Sequence, residues 1–359
     1  MKENKKTTKN SGLKTLRRIA FFALLVYVTF YILFKDQNPN DMWNVFSKTN
    51  LWFVLLGILC MFGYFTCESI NLRRTLKELG EEVKFMSAMK YSLIGFFYSS
   101  ITPAATGGQP MQIYYMHKDG IKGANATLAL VLNLFSFQVA TISMAIISIF
   151  IFNRYIDAGL GVLFTIGITL NSMALLLLVI GIFSKRLSTT LVNIAIKIMR
   201  KFKVKNIEEK EEKLRNSLEK YNGSAKYIRK NKRIILRQFI TQYIQEIIYY
   251  SIPFCVYKAL GFPGYDLIKM IGLQAIVYAT VSGIPSPGAV GVSEGAFVSI
   301  FRPIFGEVAI ASALLLNRGI SFYLFVLICA IIVMINTFKD KKESIIEDER
   351  EIENDEPTI

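Results

Sequence analysis

The sequence predicts an all-α integral membrane protein with about six full transmembrane helices and two re-entrant helical hairpins that form an inverted repeat. Three observations support this prediction. Of the 359 residues, 52% are hydrophobic and 19% are charged, and the mean hydropathy of +0.38 is high for a soluble chain. The positive charges lie in segments that flank apolar runs. Two further apolar runs are interrupted by prolines and glycines.

The predicted membrane domain covers residues 19–338. A helix needs roughly 20 apolar residues to cross a hydrocarbon core of about 30 Å. Apolar runs near that length are found at 19–34, 51–67, 124–152, 159–183, 234–260 and 308–338. The basic segment 1–18 precedes the first run, and no small-residue cleavage site follows that run. We therefore expect the first run to be retained as an anchor rather than removed as a signal peptide.

The charge distribution indicates which apolar runs cross the membrane. If the run 91–112 crossed once, segment 184–232, with 15 Lys/Arg against 5 Glu, would lie opposite the basic N-terminus. That arrangement violates the positive-inside rule. If the runs 91–112 and 267–302 instead return to the side they entered from, every basic segment is cytoplasmic. The sequence thus predicts a multi-pass protein of the cell membrane with both termini in the cytoplasm.

The two interruptions read "ITPAATGGQP" (101–110) and "SGIPSPGAVGVSEGAF" (282–297). Irregular backbone at membrane depth is tolerated only where protein or a water-filled cavity satisfies its polar groups. In the predicted topology the first hairpin enters from the cytoplasm and the second from outside. Interrupted segments paired in this way are typical of the midplane binding site of a transporter. The alternative is that the small residues only permit close helix packing.

Candidate substrate-binding residues come from both hairpins and from three other apolar runs. They are Pro103, Gly107, Gly108, Gln109 and Gln112 in the first hairpin, Pro285, Gly288, Gly291, Ser293 and Glu294 in the second, and Asn133, Gln242, Glu246, Asn317 and Arg318 elsewhere. Asn133 and Asn317 each follow the proline of an interruption by about 30 residues, which is part of the repeat pattern.

Two ionisable residues are predicted to lie near the bilayer midplane. Glu246 is some 20 Å from Arg233 along its helix, and Arg318 is about 15 Å from Glu307 along the last helix. Charged groups at this depth normally face a partner or an aqueous cavity. We therefore expect Glu246 and Arg318 to form an ion pair or to share a cavity. A purely structural pair that fixes the helix register is the alternative.

The second hairpin contains a candidate anion site. Ser293 is predicted to cap a helix that begins at Glu294. Free amides at a helix N-terminus suit an anionic group such as a lipid phosphate. The Glu294 carboxylate has two alternative roles: it occupies these amides as an internal anion, or it pairs with a cationic headgroup.

The remaining segments suggest interfacial or solvated roles. Apolar residues recur every three or four positions at the start of segment 184–232, which is typical of a basic helix on the anionic inner leaflet. The charged helix after it is predicted to be solvated, and the acidic tail 339–359 is predicted to be disordered. Because the positive charge is confined to segments beside membrane spans, it favours anionic lipid over nucleic acid as a partner.

The sequence contains no motif for covalent chemistry. P-loop, GxSxG and HExxH motifs and CxxC pairs are missing, and His117 is the only histidine. We therefore predict no catalytic residues, no metal and no cofactor. Any ATP-driven or tRNA-dependent chemistry would need another polypeptide.

The segments "TPAATGGQPMQIYYMHKDGIKGANATLALVLN" and "GIPSPGAVGVSEGAFVSIF" resemble the lysylphosphatidylglycerol synthase membrane-region family, also described as flippase-like. The resemblance extends over roughly 15–340. Its more specific motif, Pro-x-x-Gly-x-x-Gly-x-x-Glu, is intact as Pro285, Gly288, Gly291 and Glu294. The first motif departs from the family, because Gln109 stands where many members carry an acidic residue.

This resemblance implies a protein that moves a phospholipid between leaflets, as in the flippase half of the multiple peptide resistance factors. The expected lipid is lysyl-phosphatidylglycerol or another anionic or aminoacylated lipid, and a separate cytosolic synthase is an expected partner. A homo-oligomer is compatible with this prediction. The alternatives are a phosphatidylglycerol lysyltransferase, acting with or without a separate catalytic domain, and a transporter of small solutes or ions.

Overall fold

A computed structural model describes residues 39–102, 105–152, 158–183, 185–201, 207–284 and 289–336. Within these ranges the chain is helical and contains no strand. The helices are α1 (Pro39–Ser47), α2 (Leu51–Glu78), α3 (Phe85–Ser100), α4 (Gly108–Lys118), α5 (Gly123–Phe152), α6 (Ala158–Phe183), α7 (Lys185–Lys201), α8 (Ile207–Lys230), α9 (Lys232–Tyr250), α10 (Ile252–Ala259), α11 (Leu267–Val281) and α12 (Val292–Arg318). A π-helical turn, Gly319–Tyr323, continues α12 into a last helical segment that ends at Asn336.

The protein is an all-α integral membrane protein. Among the described residues, four helical segments are long and apolar enough to cross a membrane: Leu51–Glu78, Gly123–Phe152, Gly159–Val179 and Val292–Asn336. The last of these contains a break at Gly306, so it is not one continuous helix. The predicted first span 19–34, the N-terminal segment 1–18 and the tail 339–359 lie outside the described residues. The cytoplasmic placement of the termini stays a prediction.

One predicted span, 234–260, is not a single helix. The chain forms α9 up to Tyr250, passes Ser251 in a turn, and begins α10 at Ile252. Pro253 follows directly, and its missing N–H and fixed φ suit the first turn of a new helix rather than the interior of an old one. The prediction overlooked this break because it was based on the apolar character of the run, which does not register Pro253 as the start of a new helix.

Helices α3 and α4 form the first hairpin. At its tip, a Cβ built on Gly108 would lie 2.1 Å from Ser99 Oγ and 2.8 Å from Gly95 O, so only glycine permits this approach. At its base, Asp119 Oδ2 accepts hydrogen bonds from Tyr91 Oη at 2.5 Å and from Lys90 Nζ at 2.6 Å. The helices are thus antiparallel, and both ends of the hairpin lie at the same end of the bundle.

Helix α11 and the first half of α12 form the second hairpin. The Tyr257 ring contacts Tyr265, which precedes α11, and Phe305, which closes the first half of α12, each with ring centroids 5.7 Å apart. The base of this hairpin therefore surrounds one tyrosine. Gly306, with φ 73° and ψ 170°, then ends the helical path, and glycine adopts this conformation without a steric penalty.

The two hairpins enter from opposite ends of α2, as the sequence predicts. At the N-terminal end of α2, Asn50 N donates to Ala259 O at 2.8 Å, beside the Tyr257 base of the second hairpin. At the C-terminal end, Asn125 Nδ2 donates to Glu81 Oε1 at 2.7 Å, a few residues after the Asp119 base of the first hairpin. Because α2 has 28 residues and is about 42 Å long, the two bases lie on opposite faces of the membrane domain.

Helices α7 and α8 cover the end of the bundle that holds the base of the first hairpin. The predicted solvated helix is α8, and one of its faces is packed: Ala225 is buried with Leu128 and Leu132 of α5 and Ile234 of α9. Its N-terminal part contacts α7, because Glu211 accepts a hydrogen bond from Arg200 of α7 at 2.5 Å. Arg215 of α8 donates to the same carboxylate at 2.9 Å. Hydrogen bonds from these two arginines lower the pKa of Glu211.

Candidate functional site

A cavity of about 330 Å³ lies where the tips of the two hairpins meet. The first hairpin contributes Ser99 and Ala105, and the second contributes Ser282 and Ala289. Helices α2, α5, α6 and α9 and the segment around Arg318 form the remaining wall. The broken segments singled out by the sequence therefore line one shared space.

The wall of this cavity is rich in side-chain amides. Among the described residues, nine line it: Gln109, Gln112, Asn133, Gln138, Asn171, Gln242, Gln245, Gln274 and Asn317. Five of these nine side chains have a buried amide oxygen that accepts no hydrogen bond from the described residues: Gln138, Gln242, Gln245, Gln274 and Asn317. Buried polar atoms are normally satisfied by protein, water or ligand, so this wall is suited to a hydrated or polar occupant.

Among the described residues of the cavity wall, Arg318 is the cation, and Glu294 is its partner. Arg318 Nε donates to Glu294 Oε1 at 2.7 Å, and both side chains are buried. The guanidinium also lies over the Phe322 ring, 4.3 Å from its centroid. A cation against an aromatic face is stabilised by the ring quadrupole. The arginine is thus held in one orientation beside the cavity.

Glu294 acts as an internal anion at the start of α12. Its Oε2 accepts from Gly291 N at 2.6 Å while its Oε1 accepts from Arg318. The helix begins at Val292 with Gly291, at φ 89°, as the N-cap. The prediction that Ser293 caps a helix starting at Glu294 was wrong, because the glycine turns the chain two residues earlier. Ser293 instead lines the cavity from the first turn.

The predicted pair of Glu246 and Arg318 is not formed. Glu246 is fully buried and does not line the cavity, and its Oε1 accepts from Gln242 Nε2 at 3.3 Å. The prediction placed Glu246 by its depth along α9, and the helical rise that gives this depth does not tell in which direction the side chain points. Glu294 and Arg318 would lie about 36 Å apart in an unbroken helix. The reversal at Gly306 brings them together.

Sequence reasoning missed Glu68, which lines the cavity from α2. Gln112 Nε2 donates to Glu68 Oε1 at 3.4 Å, so this carboxylate connects α2 to the first hairpin. The signal was present, since Glu68 directly follows the predicted span 51–67 and α2 continues to Glu78. A longer span would have placed this carboxylate inside the membrane, where an acidic residue marks a candidate functional site.

The other predicted site residues fall into three groups. Gln109, Gln112, Asn133, Gln242, Ser293, Asn317 and Arg318 line the cavity. Gly107, Gly108 and Gly291 lie at the hairpin tips but do not line the cavity, and Glu246 and Glu294 are buried and do not line it either. Pro103, Pro285 and Gly288 lie outside the described residues. The part of the chain that the structure describes holds no group of three or more metal-ligating side chains.

Comparison with known proteins adds a family and two relatives. Residues 16–329 match the model of a family described as the lysylphosphatidylglycerol synthase TM region. A UPF0104 membrane protein of Archaeoglobus fulgidus is 23% identical over 272 residues, which cover 73% of this chain and 80% of the relative. A UPF0104 membrane protein of Methanothermobacter thermautotrophicus is 22% identical over 298 residues, which cover 80% and 86% respectively.

Proposed function

This chain belongs to the lysylphosphatidylglycerol synthase TM region family, and we propose that it is a membrane lipid translocase. The headgroup of a phospholipid passes through the cavity between the hairpin tips while the acyl chains stay in the bilayer. The lipid is lysyl-phosphatidylglycerol or another anionic or aminoacylated lipid. The observation that carries the proposal is one polar cavity at the meeting point of two hairpins from opposite ends of the bundle.

The lining suits a headgroup with both hydrogen-bond donors and negative charge. Glu68 and the unpartnered amide oxygens accept from hydroxyl or ammonium groups, and the Arg318 guanidinium places a positive charge on the cavity wall that attracts a phosphate. The volume of about 330 Å³ is at the lower end of the range of about 300–1,000 Å³ for ligand sites. It fits a headgroup rather than a whole lipid.

Purified protein in proteoliposomes tests the proposal. Labelled phosphatidylglycerol and lysyl-phosphatidylglycerol are placed in one leaflet, and their appearance in the other is measured against protein-free vesicles. We expect the protein to accelerate the exchange. In a parallel reaction, protein is incubated with lysyl-tRNA and phosphatidylglycerol. Unchanged exchange together with lipid lysylation would replace the translocase by the lysyltransferase alternative.

Asn317→Leu is expected to reduce the translocation rate about tenfold, which corresponds to roughly 1.4 kcal/mol and to the loss of about one headgroup hydrogen bond. The substitution is nearly isosteric, and it removes a buried Oδ1 that has no hydrogen-bond partner among the described residues. The thermal unfolding temperature should therefore not fall. The measurement compares exchange rates and unfolding curves for the variant and the wild type.

Asn336→Leu is the matched control, because the Asn336 side chain donates to Ile332 O of its own helix, at 2.7 Å, and does not line the cavity. It should translocate at the wild-type rate. Equal rates for Asn317→Leu and Asn336→Leu would remove the Asn317 amide from the path of the headgroup.

A further inference from the structure

A groove outside the cavity lies between α2 and α9, near the end of the bundle that holds the base of the first hairpin. It has a volume of about 280 Å³ and is lined by Arg74, Arg237, Ile240 and Thr241. Arg74 is about 6 Å from the end of α2, and Arg237 is about 8 Å from the start of α9. The positive-inside prediction assigns this end to the cytoplasm.

Two arginines, Arg74 and Arg237, line this groove. Arg74 Nη1 donates to Arg237 O at 3.0 Å and to Thr241 Oγ1 at 3.1 Å, which holds its guanidinium beside α9. Neither arginine forms a salt bridge with any residue in the described ranges. The two positive charges repel one another. An anion placed between them would relieve that repulsion and accept charge-assisted hydrogen bonds from both.

An apolar stripe continues from the groove along α9. Leu236, Ile240, Ile244 and Ile247 recur every three or four residues and are all exposed. The stripe runs from the arginines towards the middle of the membrane domain. A ligand that carries a phosphate at one end and hydrocarbon at the other would match both the charge and this surface.

The groove is closed off from the cavity by a buried polar contact. The Gln238 side chain accepts from Thr75 Oγ1 at 3.3 Å and donates to Asn133 Oδ1 at 3.0 Å. Asn71 Nδ2 donates to Gln238 O at 3.4 Å. These bonds join α2, α5 and α9 behind Arg74 and Arg237, so the groove is a separate surface rather than an extension of the cavity.

We propose that this groove binds the phosphate of an anionic phospholipid from the surrounding leaflet, with Arg74 and Arg237 as its two ligands and an acyl chain along the α9 stripe. The site retains a lipid at the rim of the protein. It is independent of the cavity, and its occupant is not required to cross the membrane.

Native mass spectrometry of the full chain, released from detergent micelles, tests this proposal. The protein is titrated with phosphatidylglycerol and, separately, with phosphatidylcholine. Wild type is expected to retain phosphatidylglycerol preferentially. Arg237→Gln is expected to weaken that binding about tenfold, the effect of about one charge-assisted hydrogen bond. The Arg237 side chain makes no hydrogen bond among the described residues, so the variant should fold normally.

Arg73→Gln is the matched control, because it removes the same charge from the neighbouring position of α2. Arg73 is exposed, is not part of the groove, and donates to Val83 O at 3.0 Å. Retention of phosphatidylglycerol by Arg73→Gln, together with its loss in Arg237→Gln, supports the site. If phosphatidylglycerol binding is weakened equally in both variants, the lipid is attracted by the overall positive charge of the protein, and the proposed site is overturned. Binding of inorganic phosphate as tight as that of phosphatidylglycerol would overturn the assignment to a lipid.

Discussion

Glu294→Ala is expected to lower the free energy of unfolding by about 3–5 kcal/mol, because it leaves the Arg318 guanidinium buried without its carboxylate. Both side chains are buried, and Arg318 Nε lies 2.7 Å from Glu294 Oε1. The substitution also removes the acceptor of Gly291 N at the start of α12. The change is measured as a shift of thermal or denaturant unfolding in detergent, and lipid exchange should be lost with it.

Glu307→Ala is the matched control. This glutamate also lies in α12, directly after the reversal at Gly306, and it pairs with Arg302 at 3.7 Å, but both side chains are exposed. Exposed ion pairs contribute about 0–1 kcal/mol, so the control should unfold close to wild type. A Glu294→Ala variant as stable as Glu307→Ala would contradict the stabilising role of the buried Glu294–Arg318 ion pair.

A double variant separates the ion pair from the rest of the site. Glu294→Gln with Arg318→Met removes both buried charges together, so neither is left without a partner. We expect the double variant to be more stable than the sum of the two single changes predicts, with a coupling energy of about 1–3 kcal/mol. Strictly additive effects would mean that the two residues do not stabilise each other.

Gly167→Ala is expected to destabilise the protein by about 1–3 kcal/mol and to reduce lipid exchange, because the new Cβ collides with the backbone of α11. A Cβ at this position of α6 would lie 2.4 Å from Ala279 O and 2.5 Å from Thr280 O. Backbone carbonyls cannot rotate away as a side chain does. The variant must displace the end of α11, which leads into the tip of the second hairpin.

The collision should also break the contact that holds this tip. Asn171, one turn after Gly167, donates from Nδ2 to Ala279 O at 3.1 Å and to Ser282 Oγ at 3.0 Å. Both Asn171 and Ser282 line the cavity. A small displacement of α11 therefore reaches the cavity wall, which is why we expect exchange to fall together with stability.

Gly295→Ala is the corresponding control in α12. A Cβ there would meet nothing within 4 Å, and alanine favours the helix over glycine by about 1 kcal/mol. This variant should be as stable as wild type or slightly more so, with normal exchange. Equal behaviour of Gly167→Ala and Gly295→Ala in unfolding assays would show that α6 and α11 do not need their close approach.

The membrane class, the two broken segments and their entry from opposite sides were predictable from the sequence. Each of these features depends on properties local to a segment. The length of an apolar run indicates a span, proline and glycine indicate a break, and flanking Lys/Arg residues indicate the cytoplasmic side of the membrane. The same reasoning indicated that residues near the breaks, such as Gln109, Gln112 and Ser293, would line a common space. The structure places all three on the cavity wall.

What only the tertiary structure decided is which charged residues meet. Helical rise gives the depth of Glu246 and Arg318 but not the face each presents, so a pair matched by depth alone was not formed. The actual partner, Glu294, lies in the first half of α12 and Arg318 in the second, and the two meet because the chain reverses at Gly306. Glu68 enters the cavity because α2 extends beyond its apolar run. Depth is a one-dimensional quantity that sequence encodes locally, whereas the partner of a buried charge depends on how helices turn and pack against one another.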